Sequence, residues 1–576
     1  MIVVKRPIFG RFPLLQILIA AALVVASGCA GEGSLLDENP LTLKFTGKET
    51  EHRWALEQLN PEWPSDWSSY KYLTFEMRTS SPQRFFLRLY TENGVRGMLL
   101  HPFGQNVWLR ASVPLEYFQS WQSGQSLGTS THRETETFWM RITGPFGDLD
   151  EVQAVAIAMK YPLNNPTIEI RSVELAKEDP GSEFLEEGPL VDEFGQWVRA
   201  DWPRKIQSLQ QLKEEWAEEE ATLHPGDFNY GRYGGYLNTK AEATGYFRVE
   251  EIDGRWWFVD PDGHLFLSMS VSSLGSDPRD GSIAQQRFGE DPNARAELAR
   301  RRMEAWGLNT RGPGKPYVTW FRSWKRDDET VFLGMPNVYS EEFVRSVDEA
   351  AKSQCATLKN DPLLIGYFLG NEPPWPRRES ELVDRILAGS ESATQRKLKE
   401  FLAEGDTPER REEFVLAAFE RFLELTCAAV RKYDPNHLVL GLRYSFGANP
   451  TDEILQAARI FDVCTINPYE YDPTECCIDR AFELSGRPIL ISEFHFGVAE
   501  NGLAAGLGPV ASQKDRGIGY RHYVEQGAAH PAFIGAHWFT WRDQPVLGVG
   551  HDYGENYNIG IMDFNDRPYP ELISPC

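Results

Sequence analysis

The sequence predicts an α/β protein in which an antiparallel β-sandwich precedes a (β/α)8 barrel. Three observations support this fold class. With 576 residues the chain is too long for one ordinary core, so two or more domains are expected. Its first part contains short runs of alternating apolar and polar residues, which are typical of antiparallel strands. Its second part alternates apolar runs with amphipathic stretches of helical length, the pattern of parallel βα units.

The chain is acidic and rich in core-forming residues. Hydrophobic residues make up 41% of the sequence and aromatic residues 12%, which is typical of globular rather than disordered proteins. The formal net charge is −25, and no basic stripe interrupts it. This charge argues against nucleic acid as a partner. A neutral polymer such as a sugar chain remains compatible with it.

Residues 1–29 are predicted to be a lipoprotein signal peptide. Basic residues precede an apolar run at residues 14–25, which is shorter than the roughly 20 residues needed to span a bilayer. The sequence "ASGC" at residues 26–29 resembles a bacterial lipobox, whose cysteine is lipidated and becomes the mature N-terminus. We therefore predict an exported protein, periplasmic or at the cell surface, that a lipid on Cys29 anchors to a membrane. Secretion without an anchor is the alternative.

A tether at residues 30–39 leads into the predicted sandwich at residues 40–177. Its strand candidates are separated by Gly, Pro, Asn and Ser clusters and lie at residues 72–79, 84–91, 107–114, 138–144, 155–161 and 167–175. The pattern resembles the jelly-roll modules that accompany polysaccharide-degrading enzymes. Trp63, Trp67 and Trp121 lie in or beside polar stretches and are candidate glycan platforms. A structural sandwich without a ligand is the alternative.

An acidic linker containing Pro and Gly is predicted at residues 178–203, and the barrel domain at residues 204–576. The barrel domain begins with a charged helix. Its eight strand candidates lie at residues 264–275, 307–312, 331–338, 364–372, 438–445, 461–469, 488–497 and 533–543. Eight successive βα units fit a (β/α)8 barrel, and a doubly wound sheet is the alternative.

Polar side chains cluster at the C-terminal ends of the predicted strands. A barrel builds its active site at this end, so these residues are candidates for one shared site. They are Asn371, Glu372, Arg443, Asn467, Tyr469, Glu493, His495, Trp538 and Asp543.

Two of these residues, Glu372 and Glu493, end the fourth and seventh predicted strands. In a barrel these strand ends face each other across the mouth. Hydrolysis of a glycosidic bond requires two carboxylates, one on each side of the bond. One carboxyl group donates a proton to the leaving oxygen, and the other attacks the anomeric carbon. Asn371 is a candidate for a hydrogen bond to the sugar 2-hydroxyl.

Several motifs resemble a known family. An Asn-Glu pair after the fourth strand and a Glu after the seventh are the signature of clan A glycoside hydrolases. The segments "GNEPPW", "ISEFHFG", "HWFTWRDQP" and "GENYNIGIMD" look like the motifs of glycoside hydrolase family 50, the β-agarases, and the likeness extends from about residue 194 to residue 571. The resemblance implies that Glu372 is the acid/base and Glu493 the nucleophile. It also implies a retaining enzyme that cleaves β-1,4 bonds between galactose and 3,6-anhydrogalactose in agar.

The chain departs from this family after Asp543 and Gln544. In the family the Asp-Gln-Pro segment is closely followed by a Gly-Arg, whereas here it leads into "VLGVGHDYGEN" without an arginine. Glu555 and Asn556 match the family pattern. Because this loop is expected to border the substrate cleft, a changed sugar preference is an open alternative.

Further candidates for substrate binding follow from their position near the strand ends. The rings of Trp375, Tyr469, Trp538 and Trp541 suit stacking on sugars, although core packing explains any one of them equally well. His495 and His537 are expected to bond sugar hydroxyls or to be satisfied within the core. Arg443 is expected to pair with Glu493 or to bind ligand, and the Tyr469 hydroxyl to help keep Glu493 ionised. Asp543 and Gln544 either bind hydroxyls or close a turn.

Metal and cofactor chemistry has no support in the sequence. The seven cysteines form no CxxC pair and no zinc-ribbon pattern, and there is no HExxH. We predict no metal and no cofactor, and the disulfide connectivity stays open.

The sequence therefore predicts a retaining β-glycosidase that resembles β-agarases and acts on a galactan. A β-galactosidase or another galactan hydrolase on the same barrel is the first alternative. A non-catalytic, glycan-binding lipoprotein is the second, and the intact pair of opposed glutamates disfavours it. The oligomeric state and the choice between exo and endo action stay open.

Overall fold

The structure, a computed structural model, describes residues 40–120, 131–132, 137–142, 145–275, 283–289, 291–323, 334–373, 375–377, 379–447, 450–548 and 555–573. The predictions for the signal peptide, the tether, Cys29 and Trp121 lie outside these residues. No helix among the described residues is long and apolar enough to cross a membrane.

The N-terminal part is built from antiparallel strands. Its strands are β1 (Leu41–Lys44), β2 (Glu49–Ala55), β3 (Tyr72–Thr79), β4 (Phe85–Thr91), β5 (Gly94–Pro102), β6 (Trp108–Pro114), β7 (Thr131–His132), β8 (Phe138–Ile142), β9 (Val152–Lys160), β10 (Thr167–Ala176) and β11 (Glu183–Phe184). One sheet has the order β1-β10-β3-β6-β11 and the other β2-β9-β4-β5-β8-β7. Two short helices, α1 (Leu56–Leu59) and α2 (Glu116–Gln119), connect strands.

The two N-terminal sheets share one hydrophobic core, to which both contribute alternate residues. Strand β4 shows why: every second side chain is buried, as the period of two in a pleated strand requires. Trp67 is fully buried in this core and Trp63 packs edge-on against it. The prediction of Trp67 as an exposed glycan platform is therefore wrong. The polar residues around it belong to the loop, while its ring fills the core.

The chain then crosses to the C-terminal part through helix α3 (Leu209–Thr222) and a small antiparallel sheet. This sheet consists of β12 (Arg248–Ile252), β13 (Arg255–Val259) and β14 (Leu265–Phe266). Helix α3 begins at the N-cap Ser208, whose side chain accepts a hydrogen bond from the Gln211 amide.

The C-terminal part contains two parallel sheets. Their strands are β15 (Ser268–Val271), β16 (Tyr317–Trp320), β17 (Leu364–Phe368), β18 (Leu438–Gly441), β19 (Tyr444–Ser445), β20 (Cys464–Asn467), β21 (Ile489–Phe494) and β22 (Phe533–Trp538). One sheet has the order β16-β17-β18 and the other β15-β22-β21-β20-β19. The last strand, β22, pairs in parallel with the first, β15.

Helices alternate with these strands. They are α4 (Gln285–Phe288), α5 (Pro292–Trp306), α6 (Glu341–Leu358), α7 (Glu379–Ala388), α8 (Ala393–Leu402), α9 (Pro408–Tyr433), α10 (Asp452–Ala457), α11 (Arg480–Ser485), α12 (Gln513–Ala529) and α13 (Pro570–Ile573). Short 3-10 turns lie at Trp375–Arg377 and Ala458–Ile460, and a π turn at Thr474–Asp479.

The parallel strands are buried on both faces. Ile365, Leu440, Val463, Leu490 and Ile534 point into one hydrophobic cluster, together with two rings of the small antiparallel sheet. The neighbouring residues of the same strands point into a second, larger cluster that the helices cover. Burial on both faces explains why these strands read as continuous apolar runs rather than alternating ones.

The second and third strand candidates need correction. Residues 307–312 form no assigned strand, although the Asn309 amide donates to the Met269 carbonyl of β15 over 3.0 Å. The described part of the candidate at residues 331–338 forms turns and irregular backbone, so the strand prediction is wrong there. The strand that pairs with β17 is instead β16, whose four residues are too short to stand out. Met335 and Val338 are apolar because they pack in the core.

Candidate active site

Glu372 follows the end of β17 in a strained conformation. Its φ angle is 46°, in the left-handed region that side chains other than glycine rarely adopt. Its amide lies 3.3 Å from the carbonyls of Leu442 and Arg443 on the neighbouring strand segment. The side chain accepts a hydrogen bond from Asn467 Nδ2 over 2.8 Å at Oε1, and the same Nδ2 lies 3.3 Å from Asn371 Oδ1. The exposed Asn371 and the half-buried Glu372 are thus tied to one buried amide.

Glu493 lies in β21 and has a charged partner. Arg443 Nη2 donates to Oε1 over 2.6 Å, and the Tyr469 hydroxyl donates to Oε2 over 2.7 Å. The Arg443 guanidinium is itself buried above the rings of Trp320 and Phe368. Each carboxylate oxygen of Glu493 therefore has a donor that compensates its negative charge.

Tyr469 is influenced by both carboxylates. Burial, followed by the negative charges of Glu493 and Glu372, raises its pKa well above the ordinary value for tyrosine. The phenol consequently stays protonated and donates to Glu493 at any physiological pH. Asn467 bonds to Glu372 and Tyr469, two residues further on, bonds to Glu493, so the end of β20 contacts both glutamates.

Arg311 is a site residue that the sequence reasoning missed. Burial, followed by the positive charge of Arg443, lowers its pKa to about 10, while Glu493 opposes this change. Its Nη1 atom is buried and has no hydrogen-bond partner among the described residues. Arg311 lies near the C-terminal end of the second strand candidate at residues 307–312, so the rule that selected the other strand-end residues also identifies it.

The N-terminal part reaches the same region. Arg84 Nη2 donates to the Tyr557 hydroxyl, and His101 Nε2 lies 2.7 Å from Asn556 Oδ1. Burial, followed by the charge of Arg84, holds the pKa of His101 well below its usual range, so the imidazole is neutral.

The last loop adds a third carboxyl group. Gln544 Nε2 donates to Glu555 Oε2 over 2.8 Å, and the side-chain oxygen Oε1 of Gln544 accepts from the Tyr557 amide. Burial raises the pKa of Glu555, with Glu493 acting in the same direction and Arg84 opposing it. Asn556 is buried and bonded to the Val546 and Gly502 carbonyls, which is a structural role for its amide.

The predicted tryptophans are buried. Trp375 packs edge-on against Phe419 and Phe422, and Trp541 packs against Trp306. The indole of Trp538 donates to the Ile559 carbonyl over 2.7 Å. These rings are packed within the core that supports the site, whereas Tyr469 lies at the carboxylates.

The two predicted histidines are also buried. His495 Nε2 accepts from the Leu507 amide over 2.8 Å, so Nδ1 carries the proton and donates to the Phe539 carbonyl. Burial, followed by the charge of Arg516, lowers the pKa of His495 to about 3. His537 Nε2 lies 2.9 Å from the Ser268 hydroxyl, and burial lowers its pKa well below the usual range. Both imidazoles are neutral.

Asp543 is buried and joins two segments of the chain, because its hydrogen-bond partners lie 15 to 26 residues further on. Its oxygens accept hydrogen bonds from the Gly560 amide, the Asn558 side chain and the Tyr569 hydroxyl. Burial raises its pKa to about 7. Among the described residues, no group of three or more His, Cys, Asp and Glu side chains is arranged to hold a metal ion.

No family model matches the chain. Two curated proteins of Vibrio sp. (strain JT0107) are similar to it. Beta-agarase B is 26% identical, in a match that covers 74% of this chain and 58% of that protein. Beta-agarase A is 24% identical, with 66% and 50% covered. The chain thus spans about half the length of the curated relatives it matches.

Solved structures extend the comparison to the fold. An exo-beta-agarase superposes with a TM-score of 0.63 at 23% identity, over 93% of this chain and 93% of that chain. An agarase, AgWH50C, superposes with a TM-score of 0.62 at 21% identity and the same coverage of both chains. The chain is therefore related in sequence to β-agarases and has the mixed α/β fold of these agarase structures.

Proposed function

We propose that this chain is a retaining glycoside hydrolase that cleaves β-1,4-galactosidic bonds in an agar-type galactan. The observation that carries the proposal is the different setting of its two strand-end carboxyl groups. Glu372 accepts from the neutral amide of Asn467, whereas Glu493 accepts from the Arg443 guanidinium and the Tyr469 hydroxyl. Two carboxyl groups in one site whose environments differ in this way suit an acid and a nucleophile.

The proposed scaffold is a (β/α)8 barrel. Three features support closure of the two parallel sheets. Strand β22 pairs with β15, the Asp462 amide just before β20 donates to the Val439 carbonyl of β18, and the Asn309 amide donates to the Met269 carbonyl of β15. One hydrophobic cluster receives residues from β17, β18, β21 and β22, and from Val463 directly before β20. In a barrel the C-terminal strand ends form the active face, where Glu372 and Glu493 stand.

The proposed reaction is a double displacement. A Glu493 oxygen attacks the anomeric carbon while Glu372 donates its proton to the leaving glycosidic oxygen. This step breaks the glycosidic bond and forms a glycosyl ester on Glu493. Glu372 then removes a proton from water, the resulting hydroxide attacks the anomeric carbon, and the ester breaks to free Glu493. Two inversions give net retention, and the two carboxyl groups should lie about 5–5.5 Å apart.

The proposed substrate follows from the relatives. The Vibrio proteins are named β-agarases, and an agar chain is a neutral polymer that suits this acidic protein. Arg84 of the N-terminal part donates to the hydroxyl of Tyr557, two residues after Glu555, so we propose that both parts border the cleft. Export and lipidation at Cys29 remain part of the proposal.

One assay tests the proposed function. The purified protein is incubated with agarose, porphyran, carrageenan and an aryl β-galactoside, and the products are separated by size and followed by proton NMR. We expect agarose to be cleaved with β-anomers formed first. Release of only galactose from the aryl glycoside would indicate a β-galactosidase. Binding without cleavage would reject the enzyme.

A further inference from the structure

Cys476 and Cys477 are adjacent in the chain and differ sharply in their surroundings. Cys476 is exposed and Cys477 is buried, yet their sulfur atoms lie 2.7 Å apart. The other described cysteines, Cys355, Cys427 and Cys464, are all buried. This pair is therefore a dithiol that a reagent can reach from one side.

The pair lies in an unusual turn. Thr474–Asp479 is a π turn, in which the Ile478 amide donates to the Pro473 carbonyl five residues earlier over 2.9 Å. Such turns are rare and often mark functional sites. The turn directly follows the loop after β20. Asn467 is the last residue of β20, and Tyr469 lies in that loop.

Tyr523 connects this turn to the site. It lies on α12, which packs against the π turn, and its side chain is fully buried. Its hydroxyl donates to the Pro468 carbonyl over 2.9 Å. Its ring stacks on Phe494 with a centroid separation of 4.3 Å. Burial raises the pKa of Tyr523 well above its ordinary value, so the phenol stays protonated and donates to Pro468.

Pro468, whose carbonyl accepts the hydrogen bond from Tyr523, lies between two site residues. Pro468 separates Asn467, the donor to Glu372, from Tyr469, the donor to Glu493. Phe494 directly follows Glu493 in β21. Tyr523 therefore contacts residues that are adjacent in the chain to Asn467, Tyr469 and Glu493. A displacement of Tyr523 should shift the groups around both carboxyl groups.

We propose that Cys476 and Cys477 form a redox modification site, at which a low-molecular-weight disulfide converts the dithiol to a vicinal disulfide and so slows the candidate active site. The Cys476 thiolate attacks the reagent, releases one thiol and forms a mixed disulfide. The Cys477 thiolate then attacks the Cys476 sulfur, and the second thiol leaves. The two protein thiols are oxidised, and the reagent is reduced to two thiols that take up both protons.

The bond would be strained and easily reversed. Adjacent Cα atoms are about 3.8 Å apart, whereas ordinary disulfides join Cα atoms about 4.4–6.8 Å apart. A strained disulfide has a more oxidising potential and is typical of regulatory rather than structural bridges. Its closure must reshape the π turn on which α12 and Tyr523 rest. The effect on turnover rests on the proposed glycosidase function, but the modification itself does not.

The test treats the full chain with oxidised glutathione at alkaline pH, where thiolates are more abundant. Three measurements follow: the mass of the peptide that contains both cysteines, amide hydrogen exchange across residues 467–479, and kcat on whichever galactan substrate the activity assay identifies. We expect loss of two hydrogen masses, faster exchange at residues 467–473, and a kcat lower by about tenfold or more. Dithiothreitol should reverse all three changes.

Cys476→Ser supplies the matched control, because Cys476 is exposed and its replacement leaves the core intact. This variant should keep the untreated kcat and resist oxidised glutathione. A mixed disulfide that stays on Cys476, or a closed disulfide with unchanged exchange at residues 467–473, would overturn the proposal. So would unchanged kcat after closure in an active enzyme. If the untreated protein had no glycosidase activity, only the proposed function would be rejected. The peptide mass would still show whether the disulfide forms, and hydrogen exchange would show whether it alters residues 467–473.

Discussion

Asn467 Nδ2 donates to Glu372 Oε1 over 2.8 Å, which links the ends of two strands of the parallel sheets. The same asparagine accepts a hydrogen bond from the Ser492 hydroxyl, directly before Glu493. One buried amide thus bonds to Glu372 and to the residue that precedes Glu493. Because Asn467 is neutral and Arg443 is charged, the site treats its two glutamates differently, and the predictions below test this asymmetry.

Removing either carboxyl group should affect turnover in a different way. Glu493→Gln cannot attack the anomeric carbon, so kcat should fall by about 10³-fold or more while substrate still binds. Glu372→Ala removes the proton donor and should slow natural substrates by about 10²- to 10⁴-fold. Aryl glycosides with good leaving groups need no proton and should be spared, with azide restoring part of the activity. Substantial activity of Glu493→Gln would reassign the nucleophile.

Tyr469 should contribute through its hydroxyl. Tyr469→Phe keeps the ring and removes the donor to Glu493, a bond to a charged group worth about 1.5–3 kcal/mol. We expect kcat to fall by about 10- to 100-fold, measured on a short soluble substrate. Tyr444→Phe is the matched control, because the buried Tyr444 hydroxyl has no hydrogen-bond partner among the described residues. Equal losses in both variants would make the effect one of packing.

The sequence predicts a candidate site residue only where that residue directly adjoins an apolar strand segment in the chain. Glu372 and Glu493 follow apolar runs of four or more residues, so their position at strand ends was predictable. Strand β16 was missed because four residues carry little pattern. Arg84 and Tyr557 are 473 residues apart, and no periodicity reports such a contact. The burial of Trp375 and His495 could not be predicted from the sequence either, because tryptophan and histidine occur both in protein cores and in sugar-binding sites.

Asp566 should stabilise the fold in a pH-dependent manner. Burial alone would raise its pKa, but Arg302, Arg542 and Arg287 lower it far below the ordinary value for aspartate. A depressed pKa contributes stability above the unfolded value of about 3.9, which is lost as the pH falls below it. Asp566→Asn leaves buried guanidinium groups without their anion and should cost about 3–5 kcal/mol in urea unfolding at pH 7.

The Asp566→Asn deficit should shrink as the pH falls below about 4, because the wild-type carboxylate then begins to lose its charge in the unfolded chain. Asp262→Asn is the control. Its partner Arg232 is largely exposed, so the loss should stay below about 1 kcal/mol. A pH-independent deficit for Asp566→Asn would assign its effect to packing rather than charge.

Arg84 should matter even for substrates too short to bridge two separate domains. It donates to Tyr557, beside the loop that carries Glu555, whereas Arg88 of β4 pairs with Glu49 and Glu51 inside the N-terminal part. Arg84→Ala should therefore lower kcat/KM on a soluble oligosaccharide by about tenfold, the value of a lost bond of about 1.4 kcal/mol. Arg88→Ala should change it little. If Arg84→Ala impaired only insoluble polysaccharide, the N-terminal part would act as a separate binding module, because only a polymer occupies both parts at once.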